Sequence, residues 1–293
     1  MNINNLEEIK QEFAGFQEEF ETGDRIHALN QLGALLDALE EAAAIRRAGN
    51  IDKEGNVTIS LPEDTKEKEI YISLNHVMEY YIYAYYFQPE AEVRCTEIPY
   101  GEYLRIYGEL CLRMEKYNAA KKAYKRAIAW NPVDLDSYLG LAEVYKYQNK
   151  LKKYLTITNQ AYRYCCTRAT MARYYRNMAF YYLSLYKPEI ARACYLYSNI
   201  YYHTENADSE LNYIEEALKE KTPKADIRQI QKLFDENGIQ PGPDSNTIGI
   251  VYKVGEILLK DRDYKLARDC FSIVYDITQD KAVEKLLDEL EEA

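Results

Sequence analysis

The sequence predicts an all-α protein built from repeated pairs of helices. Apolar residues recur every three or four positions over most of the 293-residue chain, which is the spacing of one helix face. Tyrosines and small residues also recur in the same order at intervals of 34, 37 and 76 residues, which is typical of helical repeat arrays. The 47% hydrophobic content is enough for a buried core. The 30 tyrosines, each with an apolar body and one polar tip, suit half-buried packing positions.

The chain begins with two predicted helices that are separated at Gly23-Asp24. Their apolar faces contain Leu6, Ile9, Phe13, Phe16 and Phe20 in the first helix and Ile26, Leu29, Leu32, Leu36 and Leu39 in the second. We expect the two helices to pack as a pair. Residues 49–60, GNIDKEGNVTIS, then interrupt the helical spacing with two Gly-Asn steps and a short Val-Thr-Ile run, so a loop or small hairpin is predicted there.

A long helix is predicted from Pro62 to Phe87, with Glu63 and Asp64 in its first turn. Its aromatic end, EYYIYAYYFQP, is too short to cross a membrane and is interpreted as a buried helix end. Residues 88–102, QPEAEVRCTEIPYGE, are the predicted linker to the repeats. No secretory signal and no membrane-spanning run are found, so the protein is expected to be cytoplasmic.

Four similar units follow, each with large residues around small ones. They contain Leu104, Tyr107, Gly108, Cys111, Tyr117, Ala120, Tyr124, Ala127 and Pro132; then Tyr138, Leu141, Ala142, Tyr145, Leu151, Tyr154, Thr158 and Ala161; then Tyr175, Met178, Ala179, Tyr182, Ala191, Tyr195 and Ser198; and last Val251, Val254, Gly255, Leu258, Tyr264, Ala267, Phe271 and Val274. The interval of 76 residues before the last unit is two units of 38, so one divergent repeat is expected in between.

The divergent repeat is predicted from two amphipathic helices over 206–220 and 224–236, with Thr222 and Pro223 as the N-cap and first helical residue of the second. Residues 238–246, GIQPGPDSN, are expected to be a connecting loop, with a hinge as the alternative. The final segment, KAVEKLLDELEEA, places its apolar residues on one face and is predicted to cap the array.

This pattern resembles the tetratricopeptide repeat (TPR), a helix-turn-helix unit, over residues 100 to 290. The resemblance implies a right-handed superhelical solenoid. It divides the chain into an N-terminal helical region, 1–99, and a repeat array with a capping helix, 100–293. Small side chains at Gly108 and Ala120 would let the two helices of a unit approach closely, while Tyr107, Cys111 and Tyr124 fill the surrounding core.

The sequence predicts that the protein is not an enzyme and has no cofactor. It contains no phosphate-binding glycine loop, no GxSxG nucleophile motif and no HExxH metal motif. The six cysteines and three histidines lack the close pairing of a zinc site. Cys165-Cys166 lies beside Arg163 and Arg168, which would favour a thiol with a lowered pKa. An ordinary packing position is the preferred interpretation of this pair.

The net charge of −11 is unevenly distributed and argues against nucleic-acid binding. Residues 1–112 carry a net −13, residues 113–192 carry +11, and residues 193–293 carry −9. The basic pairs Lys121-Lys122, Lys125-Arg126 and Lys152-Lys153 belong to second helices, which face outward in the TPR family. They are interpreted as a solvated convex face, with a docking patch as the alternative.

In the TPR family the first helix of each unit lines a concave groove that holds a peptide or a partner helix. The resemblance implies a peptide-binding groove that includes Arg105, Glu109, Tyr147, Arg173, Arg176, Asn177, Phe180, Tyr252 and Lys253. Tyrosine and arginine often anchor binding surfaces. A carboxylate clamp of the kind found in some family members is not expected, because Glu109 stands where the clamp has an asparagine and would repel the ligand.

The sequence therefore predicts a non-catalytic scaffold that binds a protein or peptide, with an acidic, aromatic-containing peptide as the expected ligand. Neither a nucleic acid nor a membrane is an expected partner. Bacterial receptors for signalling peptides resemble this size and repeat count, which suggests a bacterial origin. They also leave a second interpretation open, a ligand-responsive regulator without its own DNA-binding head. An enzyme of unrecognised class is the third.

Overall fold

The structure, a computed structural model, describes residues 5–43, 45, 47–53, 55–58 and 69–291. Within this part the chain is mainly α-helical, and it divides into two compact units, residues 1–153 and 154–293. The strands are β1 (Asn50–Ile51), β2 (Val57–Thr58), β3 (Glu69–Ile72) and β4 (Glu92–Cys95). The helices are α1 (Leu6–Thr22), α2 (Arg25–Ala43), α3 (Val77–Phe87), α4 (Tyr100–Arg113), α5 (Tyr117–Trp130), α6 (Leu135–Tyr147), α7 (Leu151–Tyr162), α8 (Arg168–Ser184), α9 (Pro188–Tyr201), α10 (Glu205–Leu218), α11 (Ile227–Asn237), α12 (Ser245–Lys260), α13 (Tyr264–Thr278) and α14 (Lys281–Glu291).

The same turn joins the helices α4 to α5, α6 to α7, α8 to α9, and α12 to α13. Each turn contains one residue with positive φ, namely Glu115, Asn149, Tyr186 and Arg262. The next residue donates its N–H to the carbonyl of the residue five positions earlier, which is Cys111, Tyr145, Tyr182 or Leu258. This is the hydrogen bond of a helix ending in a left-handed residue. The turns recur at the intervals read from the sequence, so the prediction of an all-α helix-turn-helix repeat fold is confirmed.

Small residues and aromatic rings meet where the helices cross. In unit 1 the Tyr124 ring of α5 lies against Gly108 of α4 and Gly140 of α6, and a Cβ on these glycines would approach ring atoms to 3.1 and 2.3 Å respectively. In unit 2 Gly255 of α12 meets Phe271 of α13 in the same way, at 2.9 Å. A side chain at these positions would overpack the crossing. The small residues therefore set how closely the helices approach.

The N-terminal region begins as predicted and then differs. The pair α1 and α2 is separated at Gly23 and Asp24, and β1 pairs with β2 in an antiparallel hairpin. The prediction of one helix over Pro62–Phe87 is wrong, because residues 69–72 form strand β3 and the helix begins only at Val77. Residues 59–68, with the expected helix start, lie outside the described residues. Strand β3 pairs in parallel with β4, which lies in the predicted linker.

Residues of this N-terminal region satisfy the carbonyl groups at the end of α5. The backbone N–H of Gly49 donates to the carbonyl of Ala129 at 2.9 Å, and that of Ser73 donates to the carbonyl of Trp130 at 3.0 Å. The last carbonyls of a helix have no partner within the helix. The first repeat is thus completed by residues that precede it, and all of them belong to unit 1. The division between domains at residues 99 and 100 stays a prediction.

The two helices predicted for the divergent repeat are present as α10 and α11 in unit 2, but each packs mainly against α9 and not on the other, so they do not form a helix pair like the other repeats. The second helix begins later than predicted, because Asp226 is the N-cap and accepts hydrogen bonds from the N–H groups of Arg228 and Gln229. The prediction of Thr222 and Pro223 as the helix start is therefore wrong. Helix α14 packs on α13 at the end of the chain.

Acidic residues of the N-terminal helices cover part of the basic segment. Arg126 of α5 is only 13% exposed in its side chain and pairs with Asp37 and Glu40 of α2. Lys125 and Lys153 donate to carbonyls of the β1–β2 hairpin, at 2.9 and 2.8 Å. The interpretation of these basic pairs as a solvated convex face is wrong for these three residues, because the N-terminal region packs over them.

Candidate peptide-binding surface

The predicted groove residues of unit 1 do not all remain available to a ligand. Arg105 on α4 lies 3.7 Å from a carboxylate oxygen of Asp134 and 4.0 Å from one of Asp136. Glu109, one turn later on the same helix, is exposed. Arg105 is therefore already held by carboxylates of the chain itself, and an acidic ligand would have to compete with them.

Tyr147 gives unit 1 an exposed aromatic surface. Its side chain is 58% exposed at the end of α6, and its ring stacks on Tyr117 of α5 with centroids 5.5 Å apart. A stacked pair of this kind presents a flat apolar face with polar hydroxyl groups, which suits a contact surface. Tyr147 is separated from Arg105 in sequence by a whole helix, and no hydrogen bond or ion pair joins the two in the described residues.

The predicted residues of α8 form one continuous stripe. Arg173, Arg176, Asn177 and Phe180 are three or four positions apart, so they share one face of the helix. Arg173 is exposed and makes no hydrogen bond or ion pair with any described residue. Arg176 is half-buried and donates to the backbone carbonyl of Tyr202 at 3.4 Å. Burial, and then the charge of Arg173, lower the pKa of Arg176.

The other two members of the stripe pack on α7. The backbone carbonyl of Asn177 accepts a hydrogen bond from the Tyr154 hydroxyl at 3.1 Å. The ring of Phe180 meets the edge of the Tyr154 ring, with centroids 5.4 Å apart. These contacts fix the backbone of α8 and leave the Phe180 ring partly accessible beside the two arginines. We call Arg173, Arg176, Asn177 and Phe180 the α8 stripe.

The predicted residues of α12 lie apart from the α8 stripe. Tyr252 packs edge-on against Phe271 of α13, with centroids 5.5 Å apart, and Lys253 is exposed and pairs with Glu256 at 2.7 Å. In the described part of unit 2 no hydrogen bond, ion pair or ring contact joins either residue to the α8 stripe. Of the nine predicted groove residues, the structure therefore brings together the four of α8.

The sequence did not predict a tyrosine cluster that holds the loop between α11 and α12. Four hydroxyl groups from α7, α8 and α9 donate to backbone carbonyls at the end of α11 and in this loop: Tyr182 to Asn237 at 3.3 Å, Tyr175 to Gln240 at 2.8 Å, Tyr197 to Pro241 at 2.6 Å and Tyr162 to Gly242 at 2.8 Å. The high tyrosine content was the sequence signal for this cluster. The sequence did not identify the partners, because their carbonyls are 44 to 80 residues away along the chain. We call these four residues the tyrosine clamp.

Cys165 does not have the environment that a reactive cysteine needs. Cys165 is fully buried, and this burial raises its pKa well above the usual range. A raised pKa keeps the sulfur protonated and unreactive. The lowered-pKa thiol considered from the sequence is thus wrong for Cys165. Among the described residues, no group of three or more His, Cys, Asp and Glu side chains is placed to share a metal ion.

Comparisons with known proteins identify the repeat in the first unit. The family model described as tetratricopeptide repeat matches residues 106–134, which cover most of α4 and all of α5. Residues 106–134 are therefore similar to a tetratricopeptide repeat, which supports the resemblance for this helix pair. A search of curated proteins finds no match. No described helix is both long enough and apolar enough to pass through a bilayer.

Two solved structures are similar at low identity. One belongs to the APC/C hetero-tetramer Cut9-Hcn1, which is 13% identical, with a TM-score of 0.37 over 65% of this chain and 36% of that chain. The other is YrrB, described as a TPR protein with an unusual peptide-binding site. It is also 13% identical, with a TM-score of 0.34 over 64% of this chain and 91% of that chain. The chain thus spans about a third of the length of the first of these proteins.

Proposed function

We propose that the chain, which matches the tetratricopeptide repeat over residues 106–134, is a non-catalytic scaffold and that it binds an acidic segment of a partner protein at the α8 stripe. The observation that carries this proposal is the pair Arg173 and Arg176. Two positive charges lie one helical turn apart, and neither has a carboxylate partner among the described residues. Two positive charges close together repel each other, and a bound carboxylate offsets this repulsion.

Other arginines of the chain support the choice of this surface. Arg105, Arg113 and Arg126 each have a carboxylate partner, so their charges are already compensated. Arg173 is the exposed member of the stripe, and the neighbouring Tyr202 is 56% exposed. An acidic peptide with an aromatic residue would pair its carboxylates with the arginines and place its ring on Phe180 or Tyr202. Arginine and tyrosine are common anchors of such interfaces.

The test uses fluorescently labelled peptides that differ only in charge: one alternates glutamate and tyrosine, and its control alternates glutamine and tyrosine. We expect saturable anisotropy for the acidic peptide only, with an affinity that falls as salt is raised. The variant Arg173→Glu should remove this binding. The matched variant Lys265→Glu reverses a charge at an exposed position of the second helix α13 and should leave binding unchanged.

Arg176 needs a milder change, because it also donates to the carbonyl of Tyr202 at the end of α9. Arg176→Gln keeps a donor there and should weaken binding without lowering the melting temperature by more than a few degrees. If Arg173→Glu binds like the wild type while Lys121→Glu with Lys122→Glu does not, the second-helix face is the site and the proposal is wrong.

A further inference from the structure

A cleft lies between α9 and α11, on elements other than the α8 stripe. The cleft has a volume of about 350 Å³, which is within the range of small-ligand pockets. Its apolar lining comes from Ala193 and Leu196 of α9 and from Ile230 and Leu233 of α11. Ala193 and Ile230 are buried, and Leu196 and Leu233 are partly accessible.

Arg192 contributes to this cleft a positive charge whose ion pair with Glu220 is long and involves no hydrogen bond. Its side chain is only 14% exposed, and its Nη1 atom is buried without a hydrogen-bond partner among the described residues. The nearest carboxylate oxygen belongs to Glu220 and lies 3.6 Å away, which is beyond hydrogen-bond distance. Glu220 is itself 64% exposed. A buried cationic donor without an acceptor is unfavourable, so an acceptor that enters the cleft would be stabilised there.

The remaining charged groups of the cleft lie at its exposed rim. Lys224 and Lys232 are the positive ones, and Glu189, Asp226 and Glu236 are the negative ones. The carboxylate of Asp226 already accepts two hydrogen bonds as the N-cap of α11. The rim is thus mixed in sign, whereas the buried charge is positive. The deep part of the cleft therefore favours an anionic group.

We propose that this cleft binds a carboxylate carried on an aliphatic stem. The carboxylate pairs with the guanidinium of Arg192, which offers two parallel donors to such a group. The stem packs on Leu196, Ile230 and Leu233. The ligand is either a free short-chain acid or the last residue of a peptide, since both present the same chemistry. This site is independent of the proposed α8 stripe, so either can fail without the other.

The experiment is a titration of the whole chain, followed by NMR shifts or calorimetry, with three probes. N-acetyl-L-leucine represents a peptide end, isovalerate represents a free acid, and N-acetyl-L-leucinamide is the control without a carboxylate. We expect at least one acid to bind with a dissociation constant on the order of 1 mM, and the amide to bind at least about tenfold more weakly. Binding of isovalerate alone would identify the ligand as a free acid, and binding of N-acetyl-L-leucine would identify it as the end of a peptide.

Two variants and a control complete the test. Arg192→Gln should weaken acid binding at least about tenfold, while Arg228→Gln, at an exposed position of α11 outside the cleft lining, should not. Glu220→Gln leaves the lining intact and removes the competing carboxylate, so it should strengthen binding about threefold. Equal binding of acid and amide, no saturation by either acid, or no gain with Glu220→Gln would overturn the proposal.

Discussion

Asp134 is the residue whose chemistry the fold changes most clearly. It lies at the start of α6 and is 4% exposed. Burial raises its pKa from an ordinary 3.8 to about 7, although a hydrogen bond from Ser137 and the charge of Arg105 act in the opposite direction. The negative charges of Glu79 and Asp136 add to the rise. Near neutral pH the folded protein must therefore accept an ionised buried carboxylate or keep a proton on it.

This environment predicts that the stability of unit 1 depends on pH. A folded-state pKa above the unfolded value stabilises the protein fully below about pH 4, and this contribution is lost as pH rises through about 7. Asp134→Asn cannot ionise, so its free energy of unfolding relative to the wild type should rise between pH 4 and 8, by up to about 4 kcal/mol. Urea unfolding at several pH values measures this difference. A difference that stays constant across this range would show that Asp134 titrates alike in both states.

At the scale of the element, hydrogen bonds hold the loop between α11 and α12, and this favours a fixed connection over a hinge. The tyrosine clamp fixes carbonyls from Asn237 to Gly242, and the donors come from three helices of the same unit. Tyr175 and Tyr197 are buried, so the hydroxyl groups reach the loop from within the core. Besides the buried side chain of Ile239, long-range hydrogen bonds hold this loop.

Removing hydroxyl groups of the clamp should loosen this loop without disturbing the helices. Tyr175→Phe deletes the bond to Gln240, and Tyr197→Phe deletes the bond to Pro241 together with a long one accepted from Gln231. Both variants keep the ring, so each should cost about 0.5–1.5 kcal/mol per bond and speed amide hydrogen exchange in residues 238–242. Hydrogen exchange followed by mass spectrometry measures both effects. Tyr213→Phe is the control, because Tyr213 is 60% exposed on α10 and makes no hydrogen bond with the described residues. Exchange that is equally slow in all three variants would mean that the clamp does not hold the loop.

The elements that the sequence predicted correctly are those with local signals. The paired helices follow from apolar side chains three or four positions apart. Their repetition follows from small and aromatic residues that recur along the chain, such as Gly108 and Tyr124. Strand β3 was missed because its pairing with β4 bridges 23 positions and because the aromatic run after it has no clear period. The start of α11 was misplaced because Thr222-Pro223 and Asp226 are both acceptable helix starts, and the structure uses the second.

The candidate site also contains some features that have a local sequence signal and others that do not. The α8 stripe follows directly from helical spacing, so it was predictable. The pairing of Arg105 with Asp134 was not, since it depends on how α4 packs on α6. Arg192 carried no sequence signal at all, because its burial and the missing hydrogen-bond partner of its Nη1 atom result from the position of α11 against α9.

At the scale of the whole molecule, the uneven charge of the sequence is partly compensated inside the fold. Arg113 pairs with Glu21, and Arg126 pairs with Asp37 and Glu40, so acids of the first segment neutralise bases of the second within unit 1. In unit 2 the Arg192 guanidinium lies 3.6 Å from a carboxylate oxygen of Glu220. The +11 segment therefore offers less free positive charge than its sum suggests.

This compensation predicts that the chain does not bind nucleic acid despite its basic segment. Phosphate binding requires several free lysines and arginines, so fluorescence anisotropy with labelled duplex DNA at about 0.15 M salt should show no saturable binding. Replacing the compensating acids, Glu21→Gln with Asp37→Asn, releases Arg113 and part of the charge on Arg126. At low salt it should raise DNA affinity more than the equal charge change Asp288→Asn with Glu289→Gln on α14, since both of those residues are exposed and far from the basic segment in sequence. Saturable binding of the wild type, with an affinity that falls steeply as salt rises, would show instead that the basic segment is a free phosphate-binding surface.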